Sequence, residues 1–388
     1  IFRIADGFPS LRWVVVMEAE SRMDGERVKK RLGMEGGGGG EFVGRALVDE
    51  QPVIIHHFYG FDSQDGEVFQ YPDFAAGALL SGSLVSRLAD GLRRKRGVEF
   101  TIDPKHEVRE REDEDEGGGR VQQVDHFCQS PGPGCIIWFN QITGSPKACT
   151  DRPALDHTSL MVGIKTFSGF HRTRVVVAKR TWTKNARSVV YYSDVDDPYV
   201  PSKSLGVANT ERGHCGKTIA ILKDAIGHEE ISSARWLFIA DDDTLVGLSR
   251  LYRWLRCYDE NEKVIIGERY GYGYETNGEE GFDYPTGGAG MLFSLSAARL
   301  LAYQCECPSN DSPDDMIIGM CARRLGIPIV HSPAMHQARP SDYSRSLLSR
   351  LPPISFHKHE GVDPYEVYTR YLQEEEDEKR WDAVRDEL

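Results

Sequence analysis

Basic residues are in the minority: 47 Lys and Arg stand against 60 Asp and Glu, a net charge of −13 at pH 7. Nucleic acid or an anionic membrane surface calls for a basic face, so neither partner is expected. No apolar run approaches the roughly 20 residues of a membrane span. The eight cysteines (Cys128, Cys135, Cys149, Cys215, Cys257, Cys305, Cys307, Cys321) contain no Cys-x-x-Cys pair, which argues against zinc or thioredoxin-type chemistry. An even, scattered set fits disulfides in an oxidising compartment, with the pairing open. The chain opens on Ile1 rather than Met, which is compatible with a targeting segment ahead of it.

What the chain does have is Arg235-Trp236-Leu237-Phe238-Ile239-Ala240-Asp241-Asp242-Asp243-Thr244. Leu237 to Ala240 reads as a buried strand that ends in three carboxylates. In open α/β sheets ligands bind beyond the carboxyl ends of the strands. Three adjacent like charges are held together most easily when a cation shares the site, and oxygen ligands suit Mg²⁺ or Mn²⁺. The competing reading is a solvated acidic turn before a helix that carries Leu245, Leu248, Leu251 and Leu255.

The 388 residues have room for two or three domains. Trp13 to Met17, Phe42-Val43 and Val53 to Ile55 read as short strands and Ser83 to Leu92 as a short helix. Gly36 to Gly40 reads as a surface insertion, and the charged, Gly-rich 107–119 stretch as a solvated loop. The expected division is a first domain over 1–127, a Cys/Pro/Gly-rich linker over 128–158, and a second domain over 159–384. In the second, strands at Met161 to Thr166, at Val189 to Tyr192, before Asp241, and at Val264 to Gly267 alternate with helices over 170–182 and 218–226. This predicts a mostly parallel sheet covered by helices on both faces. Residues 270–284 read as a long loop able to close over a ligand. Thr286-Gly287-Gly288-Ala289-Gly290 would let backbone approach a ligand closely. Pro313-Asp314-Asp315 opens a helix; either acid can serve as its cap while the other faces the cleft.

The chain also repeats itself. Residues 12–21 parallel 235–244, and Tyr71-Pro72-Asp73-Phe74-Ala75-Ala76-Gly77 parallels Tyr284-Pro285-Thr286-Gly287-Gly288-Ala289-Gly290. In the first copy the three aspartates have become Glu18-Ala19-Glu20, and Gly287-Gly288 has become Phe74-Ala75. The first domain is therefore expected to be a degenerate, non-catalytic copy of the second. It begins too late to hold a counterpart of the Lys165-Thr166 strand, so it is expected to be N-terminally incomplete.

Seven pieces in order carry a resemblance over 161 to about 360: Lys165-Thr166 with Phe170-His171-x-x-Arg174, Thr181-Trp182, Ser193-Asp194, Asp241-Asp242-Asp243, Thr286 to Gly290, Pro313-Asp314-Asp315 and Ser332-Pro333. The segment resembles the fringe-like β1,3-glycosyltransferases. The resemblance implies a GT-A, Rossmann-like nucleotide-sugar fold with a UDP-sugar as donor. By position it implies Thr166, Arg174 and Asp194 on the uridine side, Asp241 and Asp243 as metal ligands, and Asp315 as catalytic base. Asp242, Gly287, Gly288 and Asp314 would line the donor site. Where the family carries a metal-binding histidine two residues after the position of His336, this chain has Ala338. Ser355-Phe356-His357 resembles a segment of related galactosyltransferases, so His357 is favoured as the third ligand, with His336 and His359 as alternatives.

The first copy, the segment Gly267-Glu268-Arg269-Tyr270-Gly271-Tyr272-Gly273 and the tail resemble the branch that adds glucose to O-linked fucose on thrombospondin type 1 repeats. That branch implies UDP-glucose, Mn²⁺ or Mg²⁺, and fucosylated repeat proteins as partners. A fringe-type N-acetylglucosaminyltransferase would share every motif, and a lumenal carbohydrate-binding or quality-control protein would keep the fold without turnover. The last four residues, Arg385-Asp386-Glu387-Leu388, are one basic-for-basic change from the Lys-Asp-Glu-Leu signal. They predict a retention receptor as partner and the lumen of the endoplasmic reticulum as location.

Overall fold

The structure, a computed structural model, describes residues 7–8, 10–18, 21–34, 42–48, 70–94, 121–139, 155–228, 231, 233–274 and 280–374. Glu20, the 36–40 insertion, the strand expected at 53–55, the 107–119 loop and the 385–388 tail lie outside them. The chain divides into two compact units. One comprises Ile1–Thr143 with Gly273–Glu280 and Ser341–Leu351, the other Gly144–Tyr272, Gly281–Pro340 and Pro352–Leu388.

In the first unit β1 (Trp13–Val16), β2 (Ser21–Met23), α1 (Gly25–Met34), β3 (Phe42–Gly44), β4 (Ala46–Val48), β5 (Gln70–Pro72), β6 (Ala78–Ser81), α2 (Gly82–Arg94), β7 (Gln122–Gln123), β8 (Phe127–Cys128) and β9 (Ile137–Phe139) follow in order. The main sheet runs β1-β6-β3-β7. Strand alternation supplies a core on each face: Val43 and Leu79 meet Val28 of α1, whereas Phe42 and Leu80 meet Leu84 and Leu88 of α2. The linker expected from 128 differs from what folds. β9 pairs with β2 and β8, and the Cys128–Cys135 disulfide closes the turn between β8 and β9. The apolar run of Ile136, Ile137 and Trp138 had been masked by the Pro and Gly around it.

The second unit is built on β10 (Leu160–Lys165), α3 (Arg174–Arg180), β11 (Ser188–Ser193), β12 (Ser202–Ser204), α4 (Cys215–Gly227), β13 (Trp236–Asp241), β14 (Thr244–Val246), α5 (Leu248–Leu255), β15 (Ile265–Gly267), β16 (Arg269–Tyr274), β17 (Glu280–Pro285), β18 (Met291–Ser294), α6 (Leu295–Gln304), α7 (Asp314–Leu325), β19 (Ile329–His331) and β20 (Ser355–His357). Its sheet runs β12-β11-β10-β13-β18-β15-β19. All neighbours are parallel except those of β18, which is antiparallel to both β13 and β15. β10 is buried along its whole length and β13 up to its last residue, as continuous apolar runs in a covered parallel sheet require. The Cys215–Cys307 and Cys305–Cys321 bridges tie α4, the end of α6 and α7 together over one face. Two expectations change. The helix begins at Arg174 rather than Phe170, after a 3₁₀ turn at Ser168–Phe170. The 270–284 loop is a two-stranded hairpin, β16 with β17, its strand period obscured by alternating glycines.

The strands of the first sheet match four of the second in order and register. Trp13 pairs with Ser81 and Val16 with Ala78, as Trp236 pairs with Ser294 and Ile239 with Met291. Gly77 and Gly290 both hold positive φ, at 86° and 91°. Ser21 Oγ donates to Ala75 O at 2.7 Å, and Thr244 Oγ1 donates to Gly288 O at 2.9 Å. Ser21 lies opposite Phe139, and Thr244 lies opposite His357.

One ion pair anchors the first unit. Asp73 is fully buried and is bound by the guanidinium of Arg350, itself 5% exposed. Arg45 lies 4.0 Å from the same carboxylate, and Glu18 adds a favourable charge to Arg350. Leaving a buried charge unpaired costs about 3–5 kcal/mol. Arg350→Met in the full chain should lower the thermal midpoint by that scale of destabilisation. An unchanged midpoint in a melting experiment would show that the pair contributes nothing.

Candidate active site

The site is assembled at the C-terminal ends of β10 and β13. Their register sets Lys165 opposite Asp241, and Lys165 Nζ reaches Asp241 Oδ1 at 2.9 Å. From its other side the same ammonium donates to Asp314 Oδ2 at 2.6 Å, which also accepts from Thr218 Oγ1 at 2.6 Å. Burial works against the charge of Lys165, but the two carboxylates outweigh it and hold the proton firmly. Burial opposes ionisation of Asp314 as well, yet Lys165 and Thr218 keep its carboxyl below the usual range. Asp314 is thus an internal counter-ion.

After β13 the chain turns through Asp242 and Asp243 into β14. Asp242 accepts from Thr166 Oγ1 at 2.6 Å and lies 3.4 Å from Arg174 Nη1. Burial pushes its carboxyl up to about 6, and the Thr166 hydrogen bond opposes the shift. Asp243 goes the other way despite burial, held low by His357 and Arg174, the latter 3.0 Å distant. The Arg174 guanidinium lies 4.0 Å from the centre of the Phe170 ring, which fixes its plane.

His357 arrives on β20, whose antiparallel register with β14 sets it opposite Thr244. Its Nε2 lies 3.1 Å from Asp243 Oδ1 and 3.8 Å from Asp241 Oδ2. Among the described residues, Asp241, Asp243 and His357 form the one group able to hold a metal, with one donor atom from each within 4.8 Å of the others. Nδ1 of His357 faces Gln337 O at 3.0 Å, which turns Nε2 toward the two aspartates, where it could serve as a ligand. Two carboxylates and one imidazole suit Mn²⁺ or Mg²⁺ better than a thiophilic ion. His336 instead stacks on Phe356, 4.9 Å between ring centres, and His359 is outside the trio. The backbone N–H of His357 donates to Ala338 O at 3.2 Å. The imidazole is thus supplied from the strand alongside the position where the family's histidine is missing.

The glycines sort by what a side chain would hit. A Cβ at Gly288 would run into the imidazole of His357 and one at Gly290 into the Phe238 ring, whereas one at Gly287 would meet only ordinary contacts. Gly287 N–H lies 3.4 Å from Asp315 Oδ2, and Met316 N–H donates to Oδ1 at 2.8 Å. Burial first, then the neighbouring charge of Asp314, pushes the Asp315 carboxyl up to about 6. Its proton affinity therefore suits work near neutrality.

A cavity of about 500 Å³ opens beside the three aspartates and is lined by Lys165, Arg174, Lys217 and Lys358. Four cations and five acids, the three aspartates with Glu211 and Glu360, line it, so charges of both signs are available for an anion carried together with a metal. Thr166, Arg174, Asp241, Asp242, Asp243 and His357 meet there. Asp194 does not line it; it accepts from Ser168 N at 2.7 Å and braces the loop that carries Phe167 and Phe170. Sequence reading missed Lys217, whose Nζ donates to Thr166 O at 2.8 Å and Asn209 Oδ1 at 3.0 Å. A lone lysine on a helix has no motif to announce it.

A mostly parallel sheet that delivers carboxylates, an imidazole and a charged cavity to one end of its strands fits a GT-A-type glycosyltransferase fold. The chain belongs to the fringe-like family, whose model matches residues 155–382. It is 42% identical over 381 residues to a beta-1,3-glucosyltransferase of Mus musculus, covering 96% of this chain and 75% of that protein. The Homo sapiens beta-1,3-glucosyltransferase is 42% identical over 369 residues, covering 95% and 72%. Manic fringe of Danio rerio, a beta-1,3-N-acetylglucosaminyltransferase, is 24% identical over 207 residues, covering 47% and 57%.

Titrating the metal-free protein with Mn²⁺, followed by electron paramagnetic resonance, should find one ion per chain. His357→Ala should weaken it at least tenfold, since one of about six ligands is lost, and His336→Ala should leave it unchanged. A second ion of equal affinity would mean that the first unit also holds metal.

Proposed function

We propose that this chain is an inverting β1,3-glucosyltransferase that moves glucose from UDP-glucose to O-linked fucose on thrombospondin type 1 repeats. The observation that carries the reading is the meeting of Asp241, Asp243 and His357 beside a charged cavity, with the Asp315 carboxyl pushed up to about 6. The choice of glucose follows the names of the 42% identical relatives, and the acceptor rests on the family resemblance.

A divalent ion, Mn²⁺ or Mg²⁺, held by Asp241, Asp243 and His357 would offset diphosphate charge as UDP departs. Arg174, Lys217 and Thr166 hold the nucleotide, and Asp242 positions Thr166 and Arg174. Asp315 takes the proton of the acceptor hydroxyl as that oxygen attacks the anomeric carbon from the face opposite the leaving group. Asp314, already paired with Lys165, is not free to act as base. The first unit is proposed as a degenerate, non-catalytic copy of the second, with Phe139 at the register position of His357.

The assay is transfer from a panel of UDP-sugars, with Mn²⁺, to a fucosylated repeat. Preference for UDP-N-acetylglucosamine would instead make the chain a fringe-type enzyme. Asp315→Asn should lower kcat by about 10²–10⁴ with donor affinity little changed. Activity of the unmutated protein should fall as pH drops through about 6, where Asp315 becomes protonated. A flat profile from pH 5 to 8 would remove Asp315 as base.

Location in the lumen of the endoplasmic reticulum, through a receptor for Arg385-Asp386-Glu387-Leu388, is part of the same proposal. Deleting the four residues should leave transfer intact and send the protein into the medium; continued retention would refute the address.

A further inference from the structure

The β16–β17 hairpin has one aromatic face. Alternation along β16 sets Tyr270 and Tyr272 on the side opposite Gly271, and along β17 it sets Phe282 and Tyr284 on the side opposite Gly281 and Asp283. The rings form a continuous strip: Tyr272 to Phe282 is 5.9 Å between centres, Phe282 to Tyr284 is 6.4 Å, and Tyr270 to Tyr284 is 6.1 Å. Rings that served only a core would be covered, yet Tyr272 is 45% exposed.

The strip is set close to Asp315. β17 runs through Pro285 and Thr286 directly into Gly287, whose N–H points at Asp315 Oδ2. Gly319 lies one helical turn beyond Asp315 on α7, and a Cβ there would strike Tyr284 Cβ and sit 2.5 Å from Asp283 O. That glycine lets β17 lie flush on the helix, on the face that carries the base. The Tyr284 hydroxyl is pushed up by burial first, then by the negative charges of Asp315 and Tyr272, so these groups are neighbours. Among the described residues, none of the hairpin lines the cavity that Asp241 to Asp243 line. The strip thus borders Asp315 from a direction that the donor cavity does not occupy.

We propose that Tyr272 and Phe282 form the platform for the acceptor sugar, backed by the buried Tyr284, stacking on the apolar C–H face of a 6-deoxyhexose and turning its reacting hydroxyl toward Asp315. The proposal rests on the reading of Asp315 as base. A flat aromatic face holds a pyranose by dispersion and by removing its C–H surface from water, without fixing every hydroxyl. Tyr272 is then a specificity-determining residue for the acceptor and contributes nothing to binding the donor.

The test uses the full chain with Mn²⁺ and UDP-glucose, against two acceptors: a fucosylated thrombospondin repeat and methyl α-fucoside. Tyr272→Ala should raise KM for both by about tenfold or more, while UDP release in the absence of acceptor is unchanged. Tyr272→Trp should restore the KM, and both variants should melt where the unmutated protein does. An unchanged KM for methyl α-fucoside would overturn the proposal. A loss confined to the protein acceptor would also overturn it, because the face would then read peptide. Unmutated protein that releases UDP but glucosylates neither acceptor would overturn the acceptor reading of the preceding subsection and this platform with it.

Discussion

One buried ammonium holds the site of the second unit together. Lys165 lies between Asp241, at the end of β13, and Asp314, at the start of α7, at 2.9 Å and 2.6 Å. These acids come from elements far apart in sequence, and without a cation between them their repulsion would push the sheet end and the helix start apart. By pairing with Asp314, Lys165 also distinguishes two adjacent aspartates, of which Asp315 is the one proposed as base. Burial and then the charge of Asp314 raise the proton affinity of Asp315, while direct pairing with Lys165 lowers that of Asp314. Two neighbouring carboxylates with opposite shifts are the pattern by which acid and base assignments are recognised.

Much of this was legible in the sequence because local rules suffice for it. The apolar run before Asp241 could only be a buried strand, and the acids after it could only emerge at its end. His357 was singled out from the Ser355-Phe356-His357 resemblance, and the β14–β20 register sets it opposite Thr244, beside Asp241 and Asp243. Other motif residues turned out to brace the fold. Trp182 is fully buried and donates to Thr244 O at 2.9 Å, and His171 lies 2.8 Å from Ser193 Oγ. Sequence order cannot separate a residue that touches a ligand from one that positions its neighbour.

The misreadings have a common cause as well. Glycine and proline were taken as punctuation, which hid β9 behind Pro131 and Pro133 and dissolved the β16–β17 hairpin into a loop. In the hairpin the glycines are one face of a strand, left bare so that the other face can carry rings. Lys217 and the cavity it lines were invisible for a different reason, since a cavity is a property of tertiary packing.

The two units solve the same electrostatic problem in different ways. Each has a strand that ends in acids beside a glycine at positive φ, with matching register. In the second unit one donor atom from each of Asp241, Asp243 and His357 lies within 4.8 Å of the others. In the first unit the cation is covalent: Arg350 is buried against Asp73 and within the field of Glu18, and Phe139 takes the register position of the imidazole. A guanidinium cannot leave or exchange, so Asp73 keeps its partner whatever the solution holds. Both units thus pair a carboxylate with a built-in cation, Asp73 with Arg350 and Asp241 with Lys165, and the second differs in setting Asp241, Asp243 and His357 close enough to share an ion.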